Sequence, residues 1–412
     1  MRQIAVLLSL FFATMLTAQS LNDLYKESVA AYTNKDYQTF KELNQKALKL
    51  HPSQPTLLYN LAVAEVLTGN TEKATGLLKK LISWNASLDY TRDEDLKRLW
   101  LDTVITKEIE LRREQYLKKQ IRSSIFKEFA NSMHLEDMVK IDSLFFFTDV
   151  HSGTVLQFDA KEQILRELDT LPLSAMAIET GIDGNSVWVA TARLPNFKNK
   201  TNPQASPTVY KLAINSGKRL DSVLLPRKAI VGSMVFGKDG FLYATNSATP
   251  QIFKIDSKKF KIAEVIELEE AFNLQGITTN LQRDSLFIAD YIKGILMFPL
   301  DMSLKQRWMH SDKYLLKGID GLTFRAPGSL FAIQNNSTPK KLIQVNYKDD
   351  KVLDVELLDN ALPLKGEPTN GFYDPEAGYY YISNSQWPFY DKESNANYNS
   401  WEKQQIRVLP KK

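Results

Sequence analysis

Two sets of residues, most of them with oxygen-bearing side chains, recur along the C-terminal two thirds of this chain. The first is Glu136, Ala175, Gly232-Ser233, Gln275, Asp320 and Thr369-Asn370. The second is Asp149, Arg193, Asn246, Asp290, Asn335 and Asn384. Gathered in one place, such carboxylates and amides suit a hard cation such as Ca²⁺, which takes about 6–8 oxygens. A carboxylate backed by an apolar wall could also act as a base, because burial raises its pKa toward neutrality. Taken singly, each position has a plainer reading: Asp and Asn favour strand ends and turns because they bond their own backbone. His134 and His151, near Glu136 and Asp149, offer a second base or an ordinary supporting group.

These residues meet only if the chain folds as its repeats imply. A pair of short apolar runs occurs six times. The first runs are Ser143–Phe147, Ser186–Val189, Phe241–Tyr243, Ser285–Ile288, Ser329–Ala332 and Tyr379–Ile382; they start 43, 55, 44, 44 and 50 residues apart. The answering runs are Val155–Asp159, Val209–Ala213, Ile252–Asp256, Ile295–Leu300, Leu342–Asn346 and Ile406–Pro410. A four-stranded propeller blade takes ~40–50 residues, so the pattern predicts an all-β six-bladed β-propeller around a central channel. Each innermost strand starts at one face and the next strand returns to it. The two sets of residues above would then ring a single channel mouth.

Two blades carry long insertions at that face. Arg193–Thr208 is rich in Asn, Lys and Pro, and Asn384–Gln405 holds Trp387, Phe389, Tyr390, Tyr398 and Trp401. Loops longer than ~12–15 residues in a compact domain are usually functional or disordered. Blades two and six flank blade one, so both loops should lean over Glu136 and Asp149. The aromatics, Trp387 and Trp401 above all, read either as a lid or stacking platform for a sugar-like or flat ligand, or as ordinary packing against the propeller edge.

Residues 21 to about 121 change to helical period. Leu21–Asn34 with Tyr37–Leu50, and Thr56–Thr68 with Glu72–Trp84, form two helix pairs offset by 34 residues. Leu24, Tyr37, Ala47 and Pro52, then Leu58, Leu61, Ala62, Gly69 and Ala74, resemble a tetratricopeptide repeat, although Phe40 stands where that family usually has Ala. Asp93–Leu101 and Lys107–Ile121 suggest a third pair. So short an array should pack on the propeller or on a partner, as a docking or capping arm or as a peptide-binding groove.

The predicted organisation is residues 1–18 a signal peptide, 19–122 a helical repeat domain and 123–412 the propeller. Met1-Arg2-Gln3 is a basic start, Ile4–Met15 an apolar run too short to span a bilayer comfortably, and Leu16-Thr17-Ala18 a small-residue cleavage site before Gln19. This predicts a periplasmic or secreted protein with no membrane span after cleavage. The absence of cysteine excludes disulfides, thiolate metal sites and a lipid on cysteine. A net charge of +4 with no basic block argues against nucleic acid.

Blade order, size and mouth residues over about 130–410 resemble the gluconolactonase/regucalcin-like propellers, the senescence-marker-protein family, and more distantly the paraoxonases. The resemblance implies a divalent cation, Ca²⁺ for example, that polarises a lactone carbonyl, with an aspartate as base. Asp320-Gly321-Leu322 matches the family's aspartate motif. Glu136 fits its early acid but lies in Leu-Glu-Asp-Met where Glu-Gly-Pro is usual. Gln275-Gly276-Ile277 replaces Asn-Gly-Leu, and Gly232-Ser233 replaces a further asparagine. The implied metal ligands are Glu136, Gln275 and Asp320, with Asp320 the catalytic base.

No Gly-x-Ser-x-Gly elbow, His-Glu-x-x-His or phosphate-binding loop is present. Two readings follow. One is a propeller that binds a small molecule, glycan or protein at its mouth through Asp149, Arg193, Asn246, Asp290, Asn335, Asn370, Trp387 and Trp401. Its arm could take a protein partner. The other is a Ca²⁺-dependent hydrolase of lactones or related esters.

Overall fold

In the computed structural model, which describes residues 20–199 and 204–411, six four-stranded antiparallel sheets stand around a common axis. Blade one spans 135–170, blade two 174–224, blade three 231–267, blade four 274–308 and blade five 319–360. Blade six takes three strands from 371–410 and its outermost from Ser124–Phe129. That N-terminal strand pairs antiparallel with Gln404–Pro410 and closes the ring.

The apolar runs form the two middle strands of each blade. They bury both faces because each sheet is covered by a blade on either side. Leu144–Asp149 is buried along nearly its whole length, whereas the outer strand Ile164–Thr170 mixes exposed and half-buried positions. Aromatics fill the wedges between sheets. Phe129, Phe145, Phe147, Phe158 and Tyr380 join blade six to blade one. Phe331, Tyr379 and Tyr381 do the same for blades five and six.

The arm consists of α1 (Leu21–Thr33), α2 (Tyr37–Leu50), α3 (Pro55–Leu67), α4 (Thr71–Trp84), the single-turn α5 (Lys97–Trp100) and α6 (Thr103–Leu117). Ser20, Asp36, Asn70 and Asp102 cap α1, α2, α4 and α6 through their side chains. Ala62 and Ala74 are fully buried between α3 and α4, and Gly69 makes their turn at φ +90°. The third pair differs from expectation. Residues 93–101 form only short turns, and the last helix starts earlier because Asp102 caps Val104 and Ile105. Two helical hairpins and a partial third are present, with no repeat family settled by their geometry.

The arm sits on the mouth side of blades four and five and shares one apolar core with them. Ser53 Oγ donates to the Lys293 carbonyl (2.8 Å), and Lys80 Nζ to the Ser311 carbonyl (2.7 Å). The Ala86 amide donates to the Thr338 carbonyl (2.8 Å), and the Thr338 amide to the Trp84 carbonyl (3.0 Å). No helix among the described residues is long and apolar enough to cross a membrane.

Candidate functional site at the channel mouth

The innermost strands of blades one to five share one irregularity. Their register shifts between Leu135 and Met138, Ala175 and Ile178, Val231 and Met234, Leu274 and Ile277, and Ile319 and Leu322. Bulges re-aim side chains and favour functional sites. Here each falls on the residue expected at the mouth: Glu136, Ala175, Gly232-Ser233, Gln275 and Asp320. Threonines on the second strands fix the bulges. Thr148 Oγ1 accepts from the Asp137 amide (3.0 Å) and donates to the Met176 carbonyl of the next blade (2.6 Å). Thr245 does the same with the Ser233 amide and the Gln275 carbonyl.

Neighbouring inner strands touch through glycine. A Cβ on Gly276 would lie 2.6 Å from the Asp320 carbonyl oxygen and 2.6 Å from the Leu322 nitrogen. Gly276→Ala should therefore push Asp320 off the mouth and cost about 1–3 kcal/mol, the range for overpacking a closed core. Urea unfolding of that variant beside wild type measures it; an unchanged midpoint would mean the strands can separate freely.

The ring brings Glu136 and Asp320 together. Glu136 is 7 % exposed. Its Oε2 accepts from the Trp387 indole (2.7 Å) and Ser385 Oγ (3.1 Å). Asp320 Oδ2 accepts from Asn335 Nδ2 (2.8 Å) and Thr369 Oγ1 (3.1 Å). Tyr291 completes a chain, donating to Asn335 Oδ1 (2.8 Å). Glu136 Oε1 and Asp320 Oδ1 accept no hydrogen bond from the described residues. Burial first, then the charge of Asp320, pushes the Glu136 carboxyl well above its ordinary range. Burial likewise raises Asp320 to about 6, against the pull of its Thr369 hydrogen bond.

Gln275 faces elsewhere. Its Nε2 donates to Asn273 Oδ1 (2.6 Å), and its Oε1 lies 3.2 Å from Ser247 Oγ, over Gly232. It fills the gap left by the absent side chain of Gly232. The second ring stands at the mouth as predicted in position, but most of its polar atoms serve their own turns. Asp149 Oδ1 accepts from the His151 and Ser152 amides, and Asp290 from those of Phe272, Asn273, Ile292 and Lys293. Asn246 Oδ1 takes the amides of Ile230 and Ala248, and Asn384 Oδ1 that of Gln405. Arg193 donates to the Ala205 carbonyl within its own insertion. Asn335 reaches the carboxyl pair through Asp320. Asn370 lines the axial channel below.

That channel, about 260 Å³, also holds Asp137 and Glu179, two carboxylates that sequence reasoning passed over. Asp137 Oδ2 accepts from the Ile178 amide of blade two (2.9 Å). Burial raises Glu179 to about 7. Each lies one residue inside a bulge or one residue before a strand end, so a period-2 count that stops at the mouth misses both.

Both insertions cross blade one. Tyr390 OH lies 2.8 Å from His134 Nδ1 and Tyr398 OH 2.6 Å from His151 Nε2. Trp401 is buried beneath them, its ring 5.0 Å from Tyr398 and 5.3 Å from His151. His151 Nδ1 donates to the Asn196 carbonyl of the other insertion (2.7 Å), so its Nε2 is the acceptor for Tyr398. Packing accounts for Trp401, while Trp387 stands half-exposed against Glu136.

The chain is a six-bladed β-propeller with a helical N-terminal arm. No family model matches it, and no curated protein matches it. Similar solved folds include the PQQ-bound aldose sugar dehydrogenase of Streptomyces coelicolor, at 11% identity and TM-score 0.49, over 71% of this chain and 99% of that one. A Bacteroides thetaiotaomicron protein of unknown function gives 12% identity and TM-score 0.49, over 70% and 73%. An inactive virginiamycin B lyase of Staphylococcus aureus with quinupristin gives 15% and 0.46, over 67% and 80%. At these identities the likeness is one of fold alone.

Proposed function

We propose that this is an exported propeller that binds a small molecule at its channel mouth, with Glu136 and Asp320 as the recognition pair. The observation that supports this is the pair itself. Two buried carboxyls from blades one and five are drawn together by bulges, and their hydrogen bonds come only from neutral groups among the described residues. Burying such charge costs several kcal/mol per ion and adds nothing to stability. A thermal-shift screen on wild type and on a Glu136→Gln/Asp320→Asn double variant tests the reading. Ligands should raise the wild-type melting temperature and leave the variant unmoved. Hits that shift both equally would place the site elsewhere.

A hydrolase of lactones or esters is the second reading, supported by the open oxygen and raised pKa of Asp320. A divalent cation, when bound, would act as a Lewis acid on the carbonyl. Glu136 and Asp320 suit it as ligands. Gln275 does not in its present rotamer, and no step is derived through the metal. Asp320 would take the proton from the attacking water, with Asn335 and Thr369 fixing its carboxylate plane. A base with pKa about 6 is one-tenth ionised at pH 5 and nine-tenths at pH 7. Lactone hydrolysis should therefore rise about tenfold between those values, and a flat profile would exclude Asp320 as base. Millimolar Ca²⁺ should raise the melting temperature if the cation binds there.

The export signal at 1–18 lies outside the described residues. Amino-terminal sequencing of secreted material should begin at Gln19. The tetratricopeptide-like pattern is consistent with a docking arm, which its seat on blades four and five supports.

A further inference from the structure

Trp387 belongs to two environments at once. Its indole nitrogen donates to Glu136 (2.7 Å), while its ring packs against the cluster of Val150, Met176 and Ala192, as do Leu194 and Ile230. Val150, Met176 and Ala192 are buried, and Leu194, Ile230 and Trp387 are half-buried. They form an open apolar shelf on the blade one-to-three side of the mouth, contiguous with the carboxyl pair. The opposite side is polar: Tyr291, Asn335, Thr369 and Gln275. The mouth is thus amphipathic, with its charge uncompensated at the edge of the shelf.

We propose that the ligand is an amphipathic amine. Its ammonium group sits against Glu136 Oε1 and Asp320 Oδ1, and its alkyl or aryl body lies on Leu194, Ile230 and Trp387. This rests on the mouth reading above and names its chemical class. An ammonium supplies the N–H donors and the positive charge that the pair lacks. A carboxylate ligand would add a third negative charge. A neutral ligand would leave the charge of the pair uncompensated.

Calorimetric titration of the full chain with n-butyl- to n-octylamine at pH 7.5 tests this, beside the matching n-alcohols, δ-gluconolactone and CaCl₂. Affinity for amines should rise about fourfold per methylene, the worth of burying one CH₂. Asp320→Asn should weaken every amine at least tenfold. Leu194→Ser with Ile230→Ser should flatten the chain-length dependence. An affinity independent of chain length, or amine binding untouched by Asp320→Asn, overturns the inference. So does binding of CaCl₂, an alcohol or the lactone with no amine, which leaves the mouth reading standing. If no probe binds in any arm and the thermal screen is also empty, both fall.

Discussion

Lys341→Met should raise the melting temperature by several degrees near pH 7. Lys341 is 2 % exposed, on the third strand of blade five where the arm is seated. Its Nζ lies 3.5 Å from the Trp84 carbonyl at the end of α4 and 5.2 Å from the Tyr116 ring. Arg112 on α6 faces it with like charge, and Asp359 on the neighbouring strand is occupied by the Arg122 and Ser123 amides. Burial first, then Arg112, lowers the lysine to about 7. Against an unfolded value near 10.4, the cost at neutral pH is about 2–4 kcal/mol after allowing for the carbonyl and ring contacts. Methionine keeps the stem and drops the charge. The sign fixes the pH window. With the folded pKa depressed, wild type is penalised fully below about 7 and recovers as pH rises toward about 10. The gap between variant and wild type should be constant from pH 6 to 7 and close by up to ~1.4 kcal/mol per unit above that. Denaturant midpoints at pH 6, 7.5 and 9 measure it. A variant less stable than wild type at all three would show that the ammonium is well satisfied.

Trp401→Ala should release the blade-six insertion without unfolding the propeller. The ring is 4 % exposed and makes contact with His134, His151, Tyr390 and Tyr398. Removing it takes about 3–5 kcal/mol from that segment, the usual cost of a buried Trp→Ala change. The hydrogen bonds of Tyr390, Tyr398 and Gln386 remain, so the loss loosens the insertion and does not reach the blades. Limited proteolysis should cut the variant between Asp391 and Ser400 many times faster than wild type. Far-ultraviolet circular dichroism should be unchanged. Trp387→Ala, which strips one hydrogen bond from Glu136, should leave proteolysis alone. Equal cleavage rates in Trp401→Ala and wild type would mean the loop is held by its backbone.

The six blades were legible because their middle strands are buried on both faces. A strand of that kind writes itself as an unbroken apolar or aromatic run, and Phe145-Phe146-Phe147 is the plainest. The mouth followed from strand direction, so Glu136, Gln275 and Asp320 were placed on one face from spacing alone. What the spacing does not carry is side-chain direction. Gln275 turns sideways because Gly232 leaves it room, which depends on the neighbouring blade. Asp149, Asn246, Asp290 and Asn384 close their own turns, the commoner fate of Asp and Asn at strand ends. Tyr291 was overlooked because it follows Asp290 in a turn, and only the fold shows its hydroxyl reaching Asn335. The strand Ser124–Phe129 was hidden for a different reason. Its partner is Gln404–Pro410, about two thirds of the chain away, and a local pattern cannot announce so distant a pairing.

That clasp between first and last strands governs how the molecule is made. Five sheets can assemble from chain already synthesised, yet the wheel stays an open arc until the final residues arrive. Contacts spanning so great a sequence distance form slowly, and an incomplete sheet edge invites aggregation. Export as proposed above would require the chain to cross its membrane before this last snap, since the finished wheel is no longer a thread.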